Sequence, residues 1–395
     1  MQKYDVVVIG GGAAGIVAAI SAKQKGRSVL IAERMPRLGK KILATGSGRC
    51  NFLAEKLDSS FYNKEARETT ESVFRRFGRE DMLRFFGELG LAYYSEDGRF
   101  FPVTDQSSSV LGVLEMELRR LQILSECHCE ITGIESLSEG FRLISKSGKS
   151  IACSRAILCG GGKSYPALGS DGNAFTLAQK LGHRIIEPVP STVPLIVKDP
   201  WCHALQGQRI QAVVTARVGG EKIASAPGEL LFTKYGLSGT AILDVSEAIS
   251  IAIHRDHAPD VSVSVDLVPF LGREELKEEL SRRLAKGIRA EGLILGLLPQ
   301  KFSMPLSQLL LEGNVERIVE RLKNQEFRID GTRGWNEAEF TAGGVDLAEV
   351  DAETLESKLR KGLYLAGEIL NVQGARGGYN LAWAWASGTV AGMNA

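Results

Sequence analysis

The sequence predicts an α/β fold, a mostly parallel sheet with helices packed on it and further units inserted, and three observations predict it. The run Val6-Val7-Val8-Ile9 is apolar and β-branched, reads as a buried parallel strand, and stops in Gly10-Gly11-Gly12-Ala13-Ala14-Gly15 before an alanine-rich helix. A second strand over 28–32 delivers Glu33 at its carboxyl end. At the far end of the chain a strand over 363–366 stops in Gly367-Glu368, and Gly374-Ala375-Arg376-Gly377-Gly378-Tyr379-Asn380 opens an apolar helix.

The first turn has the G-x-G-x-x-G spacing at Gly10, Gly12 and Gly15. The first glycine permits the tight turn, the second lets backbone approach a pyrophosphate, and the third lets helix pack on strand. The phosphates would sit on the helix N-terminus, held by free N–H groups and the positive end of the dipole. Glu33 stands about 20 positions after the glycines, where an acid holds a ribose diol. These features together predict a dinucleotide site; left alone, Glu33 would read as a solvated strand-end charge.

In chain order, the spacing predicts a helix over 13–25 closed by Gly26 and then a basic loop over 34–51, where Arg34, Arg37, Lys40, Lys41 and Arg49 put positive charge beside the expected phosphates. Two helices follow over 64–90, with Phe74, Phe77, Phe85 and Phe86 at core spacing. Asp97-Gly98 marks a hairpin closing 92–95 on 99–103, and 107–121 is an amphipathic helix. A meander over 129–137, 141–145 and 150–153 returns through a strand over 155–159 into Gly160-Gly161-Gly162. Tyr165 stands where a second motif would need its third glycine and Pro166 follows, so this cluster is read as a close pass by the first cofactor, not a second nucleotide fold. Strands are expected at 195–197, 211–218, 229–232 and 261–267, helices within 272–323, and returning strands at 327–332 and 339–345. The domain expectation is a discontinuous cofactor domain, 1–190 with 334–395, an inserted β-barrel-like domain, 191–270, and an inserted helical domain, 271–333.

With 48 basic against 47 acidic residues there is no net field to recruit nucleic acid or an anionic membrane, so a small-molecule partner is expected and a nucleic-acid or membrane partner is not. The six cysteines form no C-x-x-C pair, and Cys127-His128-Cys129 lacks a second ligand pair, so no metal is expected. No apolar stretch reaches the roughly 18–20 residues of a membrane span, and the first apolar run carries Asp5, unlike a signal peptide, so a cytoplasmic location is expected. Oligomeric state has no signal in the sequence.

A first strand for pyrophosphate and a last strand bringing an acid and a helix N-terminus to the same cofactor is the logic of an FAD site. The segments VVVIGGGAAG, GKKILATGSGRCN, GRFFP, the glycines after Cys159, LLFTKYGLSG, FTAGGV, GLYLAGE and GGYNLAWAWASG carry a resemblance that runs almost end to end. The chain resembles the bacterial three-domain NAD(P)/FAD-dependent oxidoreductases, which include aminoacetone oxidase and bile-acid-inducible BaiN-like flavoproteins. The resemblance implies a glutathione-reductase-like, Rossmann-like FAD-binding fold with an inserted β-barrel and a small helical unit, and non-covalent FAD. It implies Gly10, Gly12, Ala13, Ala14 and Gly15 at the pyrophosphate and Glu33 and Arg34 at the ribose. Lys41, Ser47, Gly48, Arg49 and Asn51 are placed along the cofactor, with the glycine cluster at Gly161 beside it. The backbone near Ile131 is placed at the adenine, and Gly367, Glu368, Gly378, Tyr379 and Asn380 at the ribitol and ring. The chain departs from the group at Asn371 and Gln373, positions often both acidic there, and at Arg376, where threonine is frequent; no substrate class carries over.

The expected function is an FAD-dependent oxidoreductase acting on a small organic substrate by hydride transfer through flavin N5, either as a reductase with transient NAD(P)H or as an amine oxidase. Lys234 and Tyr235, in a glycine-flanked turn, are candidate catalytic groups, and an ordinary hinge explains them equally. The alternative is a flavin-holding module with structural FAD and an RNA or protein partner.

Overall fold

The structure is a computed structural model describing residues 3–395. The chain forms two compact units, one of the residues up to Pro188 with Phe340–Ala395 and one of Val189–Glu339.

The first unit is built on β1 (Lys3–Ile9), α1 (Ala13–Gln24), β2 (Val29–Ala32), β3 (Leu124–Glu126), β4 (Ile131–Ser136), β5 (Phe141–Ser145), β6 (Ser150–Leu158), β7 (Leu363–Leu365) and α2 (Tyr379–Asn394). The sheet order is β3-β2-β1-β6-β5-β4, with β7 also paired to β6. β1 runs parallel to β2 and β6, and β7 parallel to β6, while β4, β5 and β6 form the antiparallel meander. Such parallel strands are covered on both faces, which is why Val6, Val7 and Val8 are all fully buried.

The sequence places a break between 150–153 and 155–159, but the two are one strand. The first half of β6 pairs β5 (Phe141 opposite Cys153) and the second half pairs β7 (Leu363 opposite Ala156). The polar Ser154 and Arg155 mark the handover between partners, where burial along the strand is interrupted without a turn.

α1 is apolar as far as Ala22 except for Ser21, and Ala14–Ala22 are buried. A methyl on Gly388 of α2 would lie 2.3 Å from the carbonyl oxygen of Ala14, and one on Gly392 2.3 Å from that of Ala18. Only glycine at this four-residue spacing lets α2 press on the backbone of α1. Beside them, Leu53–Ala54, Arg99–Pro102 and Tyr93–Glu96 form a small sheet, its hairpin turning at Asp97 and Gly98 with φ of 50° and 74°. The helices Arg67–Arg76 and Arg79–Glu88 place Phe77 and Phe86 in the core, with Phe86 edge-on to Trp385 at 5.2 Å.

The second unit holds a seven-stranded antiparallel sheet in the order Gln325–Arg328, Val261–Asp266, Arg209–Val218, Glu221–Thr233, Gly236–Ser238, Leu195–Ile196, Gly331–Thr332. The segment expected at 229–232 is the end of a 13-residue strand, Glu221–Thr233, paired along Arg209–Val218. The helix Thr240–Ser250, continued by a π-helical turn over Ile251–Arg255, had no sequence-based expectation. Its Thr, Ile and Val content lies among strands and resembles them in composition. The helices Arg273–Ala285, Ser303–Glu312 and Val315–Lys323 bury Leu280, Leu310 and Leu322 in the same apolar cluster as Val263 and Phe327 of the sheet.

Candidate functional site

The site begins where β1 stops. Gly10 has a φ of 102°, and a methyl there would lie 2.5 Å from the carbonyl oxygen of Cys159, so only glycine lets the turn cross the end of β6. A methyl on Gly15 would lie 1.9 Å from the carbonyl oxygen of Gly10, which fixes how closely α1 folds back on the turn. Gly12 behaves differently: nothing lies within 4 Å of a methyl placed on it. It caps α1 without a side-chain hydrogen bond, and no acid occupies the first turn, so the helix N-terminus at Ala13 and Ala14 opens on free space.

That space is a cleft lined by the glycine turn, Glu33, Arg34, Lys41, Ile131, Gly161 and Asp171. Glu33 Oε2 accepts the Gly11 amide at 2.6 Å and Oε1 accepts the Met35 amide at 2.7 Å, so the buried carboxylate holds both rims of the cleft floor. Arg34 crosses to Asp171 at 2.5 Å and to Glu130 at 3.6 Å. Asn173 Nδ2 donates to the Ile131 carbonyl at 2.9 Å, and Gly161, with a φ of 73°, faces Ser170 Oγ.

The C-terminal motif arrives at the same place. Gly367 has a φ of 80°, and a methyl on it would lie 2.8 Å from Ala14 Cβ. Trp383 Nε1 donates to its carbonyl at 3.1 Å, and its amide donates to Ser387 Oγ at 3.0 Å. Glu368 beside it accepts Lys41 Nζ at 2.8 Å, Ser164 Oγ at 3.0 Å and the Thr341 amide at 2.9 Å. The two glycine motifs, more than three hundred residues apart, therefore meet at the start of α1.

The loop after Lys41 turns through left-handed residues Gly46, Ser47, Gly48 and Cys50. Arg49 points away from the motifs: Nε donates to Asp105 at 3.0 Å, Nη2 to Tyr94 at 2.6 Å and to Glu96 at 2.9 Å, over the Phe101 ring. Asn51 stays, with Oδ1 buried and unpaired, 2.7 Å from a methyl placed on Gly378. Tyr379 stacks on Phe61 at 4.6 Å, and burial raises its phenol pKa above the ordinary value. Asn380 closes on Gly374 through both amide atoms, at 2.9 and 2.8 Å, so its side chain shapes the loop. Burial pushes the Cys50 thiol up to about 11, an unreactive state.

Residues 4–394 match the model of the HI0933-like protein Rossmann domain. The chain belongs to this family. As a HI0933-like protein it is an FAD-dependent oxidoreductase. It is 37% identical over 403 residues to the 3-dehydro-bile acid delta(4,6)-reductase of Clostridium scindens, covering 98% of each chain. It is 30% identical to the ribosomal RNA dihydrouridine synthase of Escherichia coli, covering 98% of this chain and 96% of that one. Among solved structures, the 3-ketosteroid delta1-dehydrogenase from Sterolibacterium denitrificans superposes with a TM-score of 0.54 over 99% of both chains at 14% identity, which shows a shared fold.

In this HI0933-like chain Lys234 and Tyr235 lie in the second unit, in the turn between Glu221–Thr233 and Gly236–Ser238, where the Arg333 guanidinium covers the Tyr235 ring at 4.7 Å. Ser164, Thr341, Asp171 and Asn173 also take part in these contacts, and none of them was singled out in the sequence as a candidate site residue. Ser164 and Thr341 belong to segments quoted for the resemblance or beside them, but small hydroxyl residues carry no signal until their partners are known. No helix among the described residues is long and apolar enough to cross a membrane.

Proposed function

We propose that the chain is a reductase that saturates a carbon–carbon double bond conjugated to a carbonyl in a small steroid-like substrate, drawing electrons from transient NAD(P)H. The observation that carries this reading is the end-to-end 37% identity to a reductase of a 3-dehydro-bile acid.

The residues fit FAD. Gly12 leaves room for a pyrophosphate at an uncapped helix end, and the unpaired Asn51 Oδ1 is an acceptor awaiting a donor beside Gly378. Ala13 and Ala14 would hold the phosphates, Glu33 and Arg34 the ribose end, and Glu368 a ribitol hydroxyl; Asn51, Gly378 and Tyr379 would border the ring. Bound FAD supplies a hydride acceptor and donor at N5. The chain contributes the N-terminus of α2 at Gly378, which has no side-chain cap and no acid in its first turn, so that negative charge is favoured there.

The dihydrouridine synthase relatives favour a second reading, since forming dihydrouridine also saturates a double bond beside a carbonyl. An RNA substrate calls for a cationic surface, yet Val189–Glu339 carries 18 Lys and Arg against 20 Asp and Glu, which supports the small molecule.

The test is anaerobic. The flavoprotein is reduced with NADH or NADPH and mixed in turn with a 3-oxo-Δ4 steroid acid, its saturated ketone, and unmodified ribosomal RNA. Return of the oxidised flavin band with the enone alone supports the proposal. Return with RNA alone overturns it in favour of the RNA reading, and return with none of the three until air is admitted overturns it in favour of the oxidase reading.

A further inference from the structure

We propose that Lys41 is a positioning residue that forms a charge-balanced lock with Glu368, and that this pair sets the reduction potential of the flavin. The inference rests on the FAD reading above.

The lock joins four segments distant in sequence. Lys41 Nζ donates to Glu368 Oε2 at 2.8 Å and to Ser164 Oγ at 2.7 Å, and Ser164 Oγ donates to Glu368 Oε1 at 3.0 Å. The Thr341 amide donates to the same Oε1 at 2.9 Å. Thr341 Oγ1 in turn accepts the amides of Lys163 and Ser164 at 2.8 and 3.2 Å, so the serine is itself held in place. Ser164 has no exposed surface. A methyl on Gly162 would lie 2.3 Å from Thr341 Oγ1 and 2.9 Å from Glu368 Oε1, so the glycine cluster is what admits these groups.

This is not an ordinary surface ion pair. The Lys41 and Glu368 side chains are 24% and 23% exposed, and each has further hydrogen-bond partners in fixed positions. Lys41 also lines the cleft that begins at Gly10 and Gly12. A charge-assisted pair held this way keeps Glu368 oriented before any cofactor arrives, and removing one member leaves the other charge uncompensated.

The sign of the effect follows from Coulomb's law. Reduction adds negative charge to the flavin, so an uncompensated Glu368 carboxylate opposes it and an uncompensated Lys41 ammonium favours it. With both present, or both neutral, the contributions largely cancel. A role confined to packing has no reason to give opposite signs.

The experiment measures, for wild type and for Lys41→Met, Glu368→Gln and the double variant, the FAD affinity of apoprotein by fluorescence and the midpoint potential by dye equilibration. Lys41→Met is expected to bind reduced flavin about tenfold less well relative to oxidised flavin, or about 30 mV more negative for a two-electron couple. Glu368→Gln should move the potential in the opposite direction, and the double variant should return close to wild type. If Lys41→Met does not fold, Glu368→Gln and the neutral double variant carry the same comparison. Shifts of the same sign, or unchanged potentials, overturn the lock while leaving FAD binding intact. A wild-type protein that takes up no FAD overturns the FAD reading and the lock with it.

Discussion

Glu33 Oε2 accepts the backbone amide of Gly11 at 2.6 Å, which ties the end of β2 to the turn that follows β1. The other oxygen accepts the Met35 amide at 2.7 Å, so one buried carboxylate sets the spacing of the two loops that floor the cleft. The acid proposed for the ribose is thus also a structural acceptor within the fold.

Glu33→Ala should therefore destabilise the apoprotein itself, by about 1–3 kcal/mol for two stranded amide donors, in addition to weakening FAD binding. Urea unfolding of flavin-free protein checks it. An unchanged midpoint would mean the carboxylate is not part of the folded framework.

Two glycines of one motif should fail in different ways. Gly12→Val adds a side chain where nothing lies within 4 Å, and should give a folded protein that no longer retains FAD. Gly15→Val drives carbon into the Gly10 carbonyl, 1.9 Å from the first added atom, and should compromise folding, by more than about 3 kcal/mol. Circular dichroism and flavin content separate the two outcomes; identical behaviour would contradict the assigned roles.

The sequence made this difference only partly legible. G-x-G-x-x-G spacing predicts a turn and a helix, and both formed, because the Gly10 turn and the Gly15–Gly10 contact are local along the chain, whereas Gly12 meets no neighbour. Ser164, Thr341 and Asn173 were illegible for the opposite reason: each matters through a partner more than forty residues away. Arg49 shows the limit of charge as a signal. The basic loop suggested a phosphate contact, yet its guanidinium is spent on Tyr94, Glu96 and Asp105 of the neighbouring hairpin segment. The helix Thr240–Ser250 was hidden by β-branched residues that tertiary packing overrode.

Stability should fall in mild acid through His183. Its Nε2 lies 2.8 Å from Ser357 Oγ, and that hydroxyl accepts the amides of Leu359 and Arg360, so its hydrogen points to the imidazole. Nδ1 lies 3.0 Å from Glu349 Oε2. Burial lowers the imidazole pKa below its usual 6.5 despite the Glu349 carboxylate. The unfolded chain therefore takes up a proton that the folded chain does not, and stability is lost as pH drops below 6.5. Urea midpoints at about pH 8 and about pH 5 should diverge more in wild type than in His183→Gln. An equal divergence would show that other groups dominate the acid response.

Electron supply should be sequential in time at one place. After Gly160-Gly161-Gly162 the chain passes through Tyr165, with a φ of 54°, and a short turn over Pro166–Leu168; the next α-helix starts only at Asn173. That departs from a second dinucleotide turn. Initial-rate lines for NAD(P)H and the acceptor should be parallel, as in ping-pong exchange, and intersecting lines would reveal a separate nicotinamide site.

The most direct measurement is the identity and amount of flavin released by acid precipitation of the purified protein. One FAD per chain in the supernatant is expected, because Gly367, next to Glu368, reaches Ala14 at the start of α1, directly after the turn at Gly12, and the two motifs suit a dinucleotide held without a covalent bond. FMN in the supernatant, flavin retained in the pellet, or no flavin uptake by apoprotein given FAD would contradict it.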